Sequence, residues 1–133
     1  MKQLTSRDVD VRVEPPVEGV VIVRVAGEVD LAAAPALRHC VDERDPGLRV
    51  LVLDLSGVRF FGAAGLSALV HIRGVAERLA LRWAVVAPDV VSRPLRITGL
   101  DVGLPVCSTL VEALARVTHV ASDIPGQPPC RER

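Results

Sequence analysis

The sequence is poor in aromatic side chains and has no excess of charge of either sign. Phenylalanine, tryptophan and tyrosine make up 2% of its 133 residues, and 16 Lys and Arg are balanced by 16 Asp and Glu. Proteins that bind nucleic acids use a basic surface for the phosphates and aromatic rings for unpaired bases. The chain offers neither feature, so nucleic acid is not an expected partner.

Long apolar runs and paired cysteines are also missing. No stretch approaches the ~20 apolar residues of a transmembrane helix, and the first residues contain no apolar core of signal-peptide length. Cys40, Cys107 and Cys130 form no CxxC pair and no metal-ligand spacing with the histidines. We therefore expect a cytoplasmic protein with reduced thiols, no metal or cofactor and no direct membrane contact.

What remains is enough apolar sequence for one domain. Half of the residues are apolar, and a chain of this length can bury a hydrophobic core. After His119 the sequence contains three prolines and no hydrophobic periodicity. We predict a flexible N-terminus over residues 1–7, a domain over 8–118 and a disordered tail over 119–133.

The centre of the chain predicts a strand, a loop and a helix. Val50–Asp54 is an apolar run of strand length, Ser56-Gly57 marks a short loop, and apolar residues recur at helical spacing from Ala64 to Leu79. Before it, Val9–Glu14 and Val20–Val25 predict an antiparallel hairpin whose turn holds Pro15-Pro16 and Gly19.

The remaining segments give the element order β-β-α-β-α-β-α-β-α. The first helix should begin near Ala33 or Ala34, because Pro35 is tolerated only near a helix start, and Asp30 is placed to cap it. The later predictions are a strand at Leu81–Ala87, a short helix at Ser92–Thr98 ended by Gly99, an edge strand at Leu104–Cys107, and a last helix capped by Thr109.

The start of the central helix lacks reactive side chains. Its first residues are Gly62-Ala63-Ala64-Gly65, with no hydroxyl, carboxylate, imidazole or thiol. A helix start has free N–H groups and a positive dipole, which makes it a natural seat for an anion. The chain also has no nucleophile elbow and no phosphate-binding loop, so we predict that it is not an enzyme.

Three motifs, in order, resemble the STAS domain, the fold of bacterial anti-sigma factor antagonists and of the cytoplasmic tail of sulfate transporters. They are GEVD at Gly27–Asp30, VLVLDLSGVRFFGAAGLSAL at Val50–Leu69 and LRITGLDVGLPVCSTLVEAL at Leu95–Leu114. The resemblance implies an α/β sandwich with a mixed four- to five-stranded sheet and about four helices.

The resemblance also implies a function. Antagonists of this family bind an anti-sigma factor of the histidine-kinase-like ATPase fold, which frees a sigma factor, and phosphorylation by that kinase ends the complex. The expected partner-binding surface comprises Asp30, Leu31, Phe61, Gly62, Ala63, Ala64, Gly65 and Leu66. We expect a monomer or weak dimer.

At the phosphorylation site the sequence departs from the family. Where antagonists tend to have Asp-Ser-Ser-Gly-Leu or Asp-Ser-Thr-Gly-Leu, this chain has Gly62 in the carboxylate position and Ala64 in the phosphoacceptor position. Phosphorylation at Ala64 is chemically excluded. We therefore predict an antagonist that is not switched off there.

Three alternatives remain open at this point. Ser67, one turn further along the helix, could carry the phosphate, or a disulfide of Cys40 with Cys107 or with Cys130 could act as a redox switch. The chain could also be an accessory subunit that binds the ATPase of an ABC-type lipid transporter, a role that needs no phosphorylation.

Overall fold

The computed structural model describes residues 2–5, 9–17, 19–42, 44 and 46–118, with side chains from residue 19 onwards. These residues form one six-stranded sheet in the order β1 to β6, together with four helices. The strands are β1 (Lys2–Thr5), β2 (Val9–Val17), β3 (Val20–Val29), β4 (Val50–Phe61), β5 (Arg82–Val86) and β6 (Val106–Cys107). The helices are α1 (Ala34–Asp42), α2 (Ala63–Leu79), α3 (Asp89–Thr98) and α4 (Leu110–Thr118).

The sheet is mixed, as the resemblance implied. β1, β2 and β3 pair antiparallel, and β3 to β6 pair parallel through helical crossovers. The predicted opening hairpin is therefore confirmed. The sheet has one strand more than expected, because Lys2–Thr5, within the segment predicted as a flexible N-terminus, pairs with β2. The predicted tail at 119–133 lies outside the described residues.

Two strands continue past the turns predicted for them. β4 runs on to Phe61 instead of ending at Asp54, because β3 offers pairing partners as far as Val29, with two register shifts on the way. β2 likewise runs through Pro15-Pro16 to Val17, where a register shift absorbs the missing N–H donors. Both segments therefore extend the sheet rather than form loops.

The sheet is covered on both faces. Alternate residues of β4 point to opposite sides, so Leu51 and Leu53 pack with α1, α2 and α3, whereas Val50 and Val52 pack with α4. Each fully buried aliphatic side chain contributes about 1.5–3 kcal/mol relative to an exposed one. Of the four helices that the structure describes, none combines the length and apolarity needed to cross a bilayer.

The end of α3 and the cap of α4 lie where the sequence predicted them, whereas α3 begins three residues earlier than predicted. Gly99 ends α3 with a φ of +77°, and Thr109 Oγ1 accepts the N–H of Glu112 at 3.0 Å to cap α4. α3 starts at Asp89 rather than Ser92, because the carbonyl of Pro88 already accepts the N–H groups of Val91 and Ser92.

Candidate functional site

The carboxyl ends of β3 and β4 bring two separate segments together. Val29 is paired with Phe61, and the N–H of Gly62 donates to the carbonyl of Val29 at 3.0 Å. The turn that follows β3 therefore lies beside the start of α2. The structure thus brings the residues predicted from the two motifs, Asp30 and Leu31 on one side and Gly62–Leu66 on the other, to the same end of the sheet.

Asp30 organises the first of these segments. Its Oδ1 accepts the N–H of Ala33 at 3.0 Å, and its carbonyl accepts the N–H groups of Ala33 and Ala34. These bonds form the turn from which α1 starts at Ala34, one residue before Pro35, as predicted. Asp30 as a whole is half-buried, beside the start of α2.

The start of α2 is formed by backbone alone. Gly62 occupies the N-cap in an extended conformation, with φ −86° and ψ −175°, and no side chain caps the helix. Its carbonyl accepts the N–H groups of Gly65 and Leu66 at 3.0 and 3.2 Å. The first turn carries no acidic residue, so this helix start has neither a capping carboxylate nor a hydroxyl.

The small residues at this helix start differ in exposure. Ala63 is exposed, whereas Ala64 is half-buried and packs against the core on the α1 to α3 face. Gly65 is buried against the ring of Phe61. A side chain at position 64 is therefore partly accessible, and the surface around it is small and uncharged.

The two neighbouring phenylalanines have opposite environments. Phe61, which we predicted on the partner surface, is 6% exposed and fills the core, so that prediction is wrong for its side chain. Phe60 is 50% exposed, and it lies next to Gly62, where an added Cβ would be 3.2 Å from the Phe60 ring. Adjacent strand residues point to opposite faces, so Phe61 lies on the same side of β4 as Leu53 and Leu55, because the two register shifts in β3–β4 offset each other.

Leu31 is the most exposed large apolar side chain at this end of the sheet, at 82%. We define the entry surface as Asp30, Leu31, Phe60, Ala63 and Ala64. It combines two exposed apolar side chains with one carboxylate and a small, neutral helix start. Such a surface suits contact with another protein better than it suits catalysis, because it carries no nucleophile and no general base other than Asp30.

The two described cysteines lie on opposite faces of the sheet. Cys40 packs with the α1 to α3 core, and Cys107 packs with the α4 core. Since a disulfide needs Cα atoms within about 7 Å, a bond between them cannot cross the sheet. Burial raises the pKa of the Cys40 thiol to about 12, and it also raises the pKa of Cys107, although Arg116 opposes that shift. Their placement therefore disfavours the Cys40 to Cys107 disulfide, which was one of the open alternatives, and Cys130 lies outside the described residues.

One polar contact joins the two helices that begin at the entry surface. His71 Nε2 on α2 lies 2.8 Å from Asp42 Oδ1 at the end of α1. The hydrogen bond from His71 is the main cause that lowers the pKa of the Asp42 carboxyl below its usual range. This contact links α1 to α2 on the exposed side of the core.

Similar proteins agree with this architecture. Residues 9–113 match the STAS domain family. The chain is 36% identical over 105 residues to the anti-sigma-F factor antagonist RsfB of Mycobacterium tuberculosis. The alignment covers 74% of this chain and 82% of the relative.

Solved structures give the same result. The chain superposes on an anti-sigma factor antagonist from Mycobacterium paratuberculosis with a TM-score of 0.68 and 35% identity, over 86% of this chain and 99% of the other. A sulfate transporter family protein from Wolinella succinogenes shares the fold, with a TM-score of 0.70 and 21% identity, over 79% of this chain and 89% of the other. Family match, relatives and topology agree that the chain belongs to the STAS domain family.

Proposed function

We propose that this chain is an anti-sigma factor antagonist that binds its anti-sigma factor through the entry surface. The observation that carries the proposal is the exposed Leu31, 82% accessible, beside the neutral start of α2. The 36% identity to an anti-sigma-F factor antagonist supports the same role. By binding the anti-sigma factor, the chain frees a sigma factor for transcription.

The partner, in this proposal, is an anti-sigma factor of the histidine-kinase-like ATPase fold. In a phosphorylated antagonist, the phosphate adds about two negative charges and three hydrogen-bond acceptors at the helix start. Those charges oppose an apolar or acidic partner surface by desolvation and repulsion. Ala64 cannot accept a phosphate, so its half-buried methyl group keeps the helix start in the neutral state.

The consequence is an antagonist without a kinase-driven off switch at this position. Ser67 is exposed on α2, but it lies one turn beyond the helix start, where the free N–H groups do not reach it. We infer that binding through the entry surface is constitutive. Release of the sigma factor then depends on how much of the chain is present rather than on its phosphorylation.

The alternative function is that of an accessory subunit that binds the ATPase of an ABC-type lipid transporter. The same alanine favours it, because such a subunit needs no phosphorylation. Both functions use a protein surface, and the identity of the partner separates them.

The first experiment is an affinity pull-down with the full chain from its native cytoplasm, with ATP or ADP added and the bound proteins identified by mass spectrometry. Leu31→Glu is compared with Ile97→Glu, which makes the same change on α3 at a side chain that is 77% exposed. We expect a kinase-type anti-sigma factor that Leu31→Glu loses and Ile97→Glu keeps. Recovery of a transporter ATPase establishes the alternative. If Leu31→Glu and Ile97→Glu lose the anti-sigma factor to the same extent, the entry surface is not its binding site.

A second experiment tests the missing phosphoacceptor. The captured kinase is incubated with ATP and either the native chain or Ala64→Ser, and the intact masses are measured. We expect a phosphate on the variant alone. A phosphate on the native chain, for example at Ser67, contradicts constitutive binding while leaving the antagonist role intact.

A further inference from the structure

A cavity of about 520 Å³ lies at the opposite edge of the sheet from β1, between α3, the loop that follows it, β6 and α4. It is separate from the entry surface, which is built on β3, β4 and α2. Its lining combines apolar side chains, among them Leu95 and Leu104, with the polar side chains of Ser92, Arg96, Asp101 and Arg116. A cavity of this volume is large enough for a small organic molecule.

Two guanidinium groups from different helices line this cavity. Arg96 on α3 is exposed, and its Nη1 donates to Ser92 Oγ at 3.3 Å, one turn earlier in the helix. Arg116 on α4 is held at the wall, since its Nη1 donates to the carbonyl of Val106 at 3.4 Å and lies 3.6 Å from Cys107 Sγ. A guanidinium has five N–H donors in a plane, which suits the oxygens of carboxylates and phosphates.

The loop that lines the cavity is held by hydrogen bonds and burial within the chain itself. The N–H of Asp101 donates to the carbonyl of Leu95 at 3.2 Å, and the N–H of Leu104 donates to the carbonyl of Asp101 at 3.2 Å. Leu95 and Leu104 are themselves buried in the core. The loop that forms one wall is therefore tied to α3 and to the core. Because the loop is already ordered, ligand binding does not have to pay the entropy of ordering it.

The charges in the cavity define the class of ligand. The lining carries the side chains of two arginines and one aspartate, and ionised Asp101 can accept hydrogen bonds, for example from a ligand hydroxyl, but cannot donate them. We propose that this cavity binds a small organic oxyanion, with its phosphate or carboxylate between Arg96 and Arg116 and a hydroxyl-bearing body against Ser92 and Asp101. The apolar side chains pack against the carbon skeleton.

The test is an NMR titration of the full chain, ¹⁵N-labelled, at low salt. Glycerol 3-phosphate and malate offer the two head groups on hydroxylated bodies, and inorganic phosphate offers a head group alone. We expect saturable shifts at the amides of Gly103 and Val106, with Gly62 unchanged as an internal reference at the entry surface. Binding of one organic probe and not the other assigns the head group.

Matched variants decide whether the cavity is responsible. Arg96→Gln removes a charge that lines the cavity, and Arg93→Gln removes the same charge from an exposed position outside it, one turn earlier on α3. We expect Arg96→Gln to weaken binding about tenfold or more, and Arg93→Gln to leave it within about twofold.

Asp101→Asn is expected to weaken the hydroxylated probes and not inorganic phosphate. Two results of the titration overturn the proposal: neither organic probe gives a saturable shift up to ~10 mM, or Gly62 shifts as much as Gly103 and Val106. Two comparisons of affinity also overturn it: Arg93→Gln weakens binding as much as Arg96→Gln, or inorganic phosphate binds as tightly as glycerol 3-phosphate. Each leaves the antagonist role untouched, because that role is tested at the entry surface.

Discussion

Gly65, in the first turn of α2, lies directly against the ring of Phe61 at the end of β4. A Cβ on Gly65 would come within 2.9 Å of both Cε1 and Cζ of that ring. The ring cannot move aside easily, because Phe61 is part of the buried core. The close approach of strand end and helix start therefore depends on the absence of a side chain at position 65.

We expect Gly65→Ala to lower the free energy of unfolding by about 1–3 kcal/mol, through overpacking against Phe61. The control is Gly74→Ala in the same helix, where an added Cβ meets nothing closer than Arg78 Nη1 at 3.8 Å. That change should raise the free energy of unfolding by about 0.5–1 kcal/mol, since alanine is the better helix former. Chemical denaturation measures both, and a stabilised Gly65→Ala contradicts the packing argument.

The cap formed by Asp30 gives a second prediction. Asp30→Ala removes the acceptor of the Ala33 N–H and should cost about 1 kcal/mol of stability, as other N-cap losses do. Asp30→Asn keeps an acceptor oxygen and should cost only a few tenths of a kcal/mol. Because Asp30→Asn removes the charge and retains the turn, its affinity for the partner isolates the electrostatic role of Asp30 at the entry surface.

The contact between His71 and Asp42 predicts a dependence of stability on pH. The pKa of Asp42 is lower in the folded chain than in the unfolded chain, so its contribution is complete above the unfolded carboxyl pKa and is lost as pH falls through the folded pKa. Both side chains are partly exposed, so the contribution stays below about 1 kcal/mol.

We therefore expect His71→Gln to be less stable than the native chain above the unfolded carboxyl pKa, and to converge on it as the pH falls below the lowered pKa of Asp42. Unfolding in urea across this range, followed by circular dichroism, measures the difference. Asp42→Asn should behave in the same way, and a constant gap at every pH would contradict the assignment.

The cysteine environments predict slow thiol chemistry. Burial raises the pKa of both Cys40 and Cys107, and the thiolate is the reactive form. We expect neither thiol to react with iodoacetamide in the folded chain, and both to react after unfolding in urea. Peptide mass spectrometry locates the label. Rapid labelling of Cys107 in the folded chain would show that the wall formed by α4 opens.

The central strand and helix could be predicted because their apolar residues follow a single period and bury one continuous surface. β1 could not, since Lys2–Thr5 has little apolar pattern and is a strand only because β2 offers it a partner. The extension of β4 beyond Asp54 could not be predicted for a related reason. Ser56-Gly57 has the composition of a turn, and only the neighbouring β3 keeps it in the sheet.

At the entry surface, the motifs identified the right segments, but not which side chains face outwards. Phe60 and Phe61 are adjacent residues of the same type, and Phe61 faces the core because the two register shifts between β3 and β4 offset each other, which the sequence does not show. The arginine-lined cavity was not predictable either. Its residues come from α3, a loop, β6 and α4, and they meet only once the sheet has formed.

The bond from Arg116 to Val106 has a consequence for assembly. The carbonyls of Pro105 and Cys107 accept N–H groups of Val85 and Ala87, so the carbonyl of Val106 points away from the sheet, and Arg116 occupies it. The N–H of Val106 donates to Leu104 within the same chain. The outward N–H and carbonyl of Val106 thus already have partners within the chain, which disfavours the addition of another strand at β6. Arg116 and the turn at Leu104 together therefore make this edge of the sheet a poor template for aggregation.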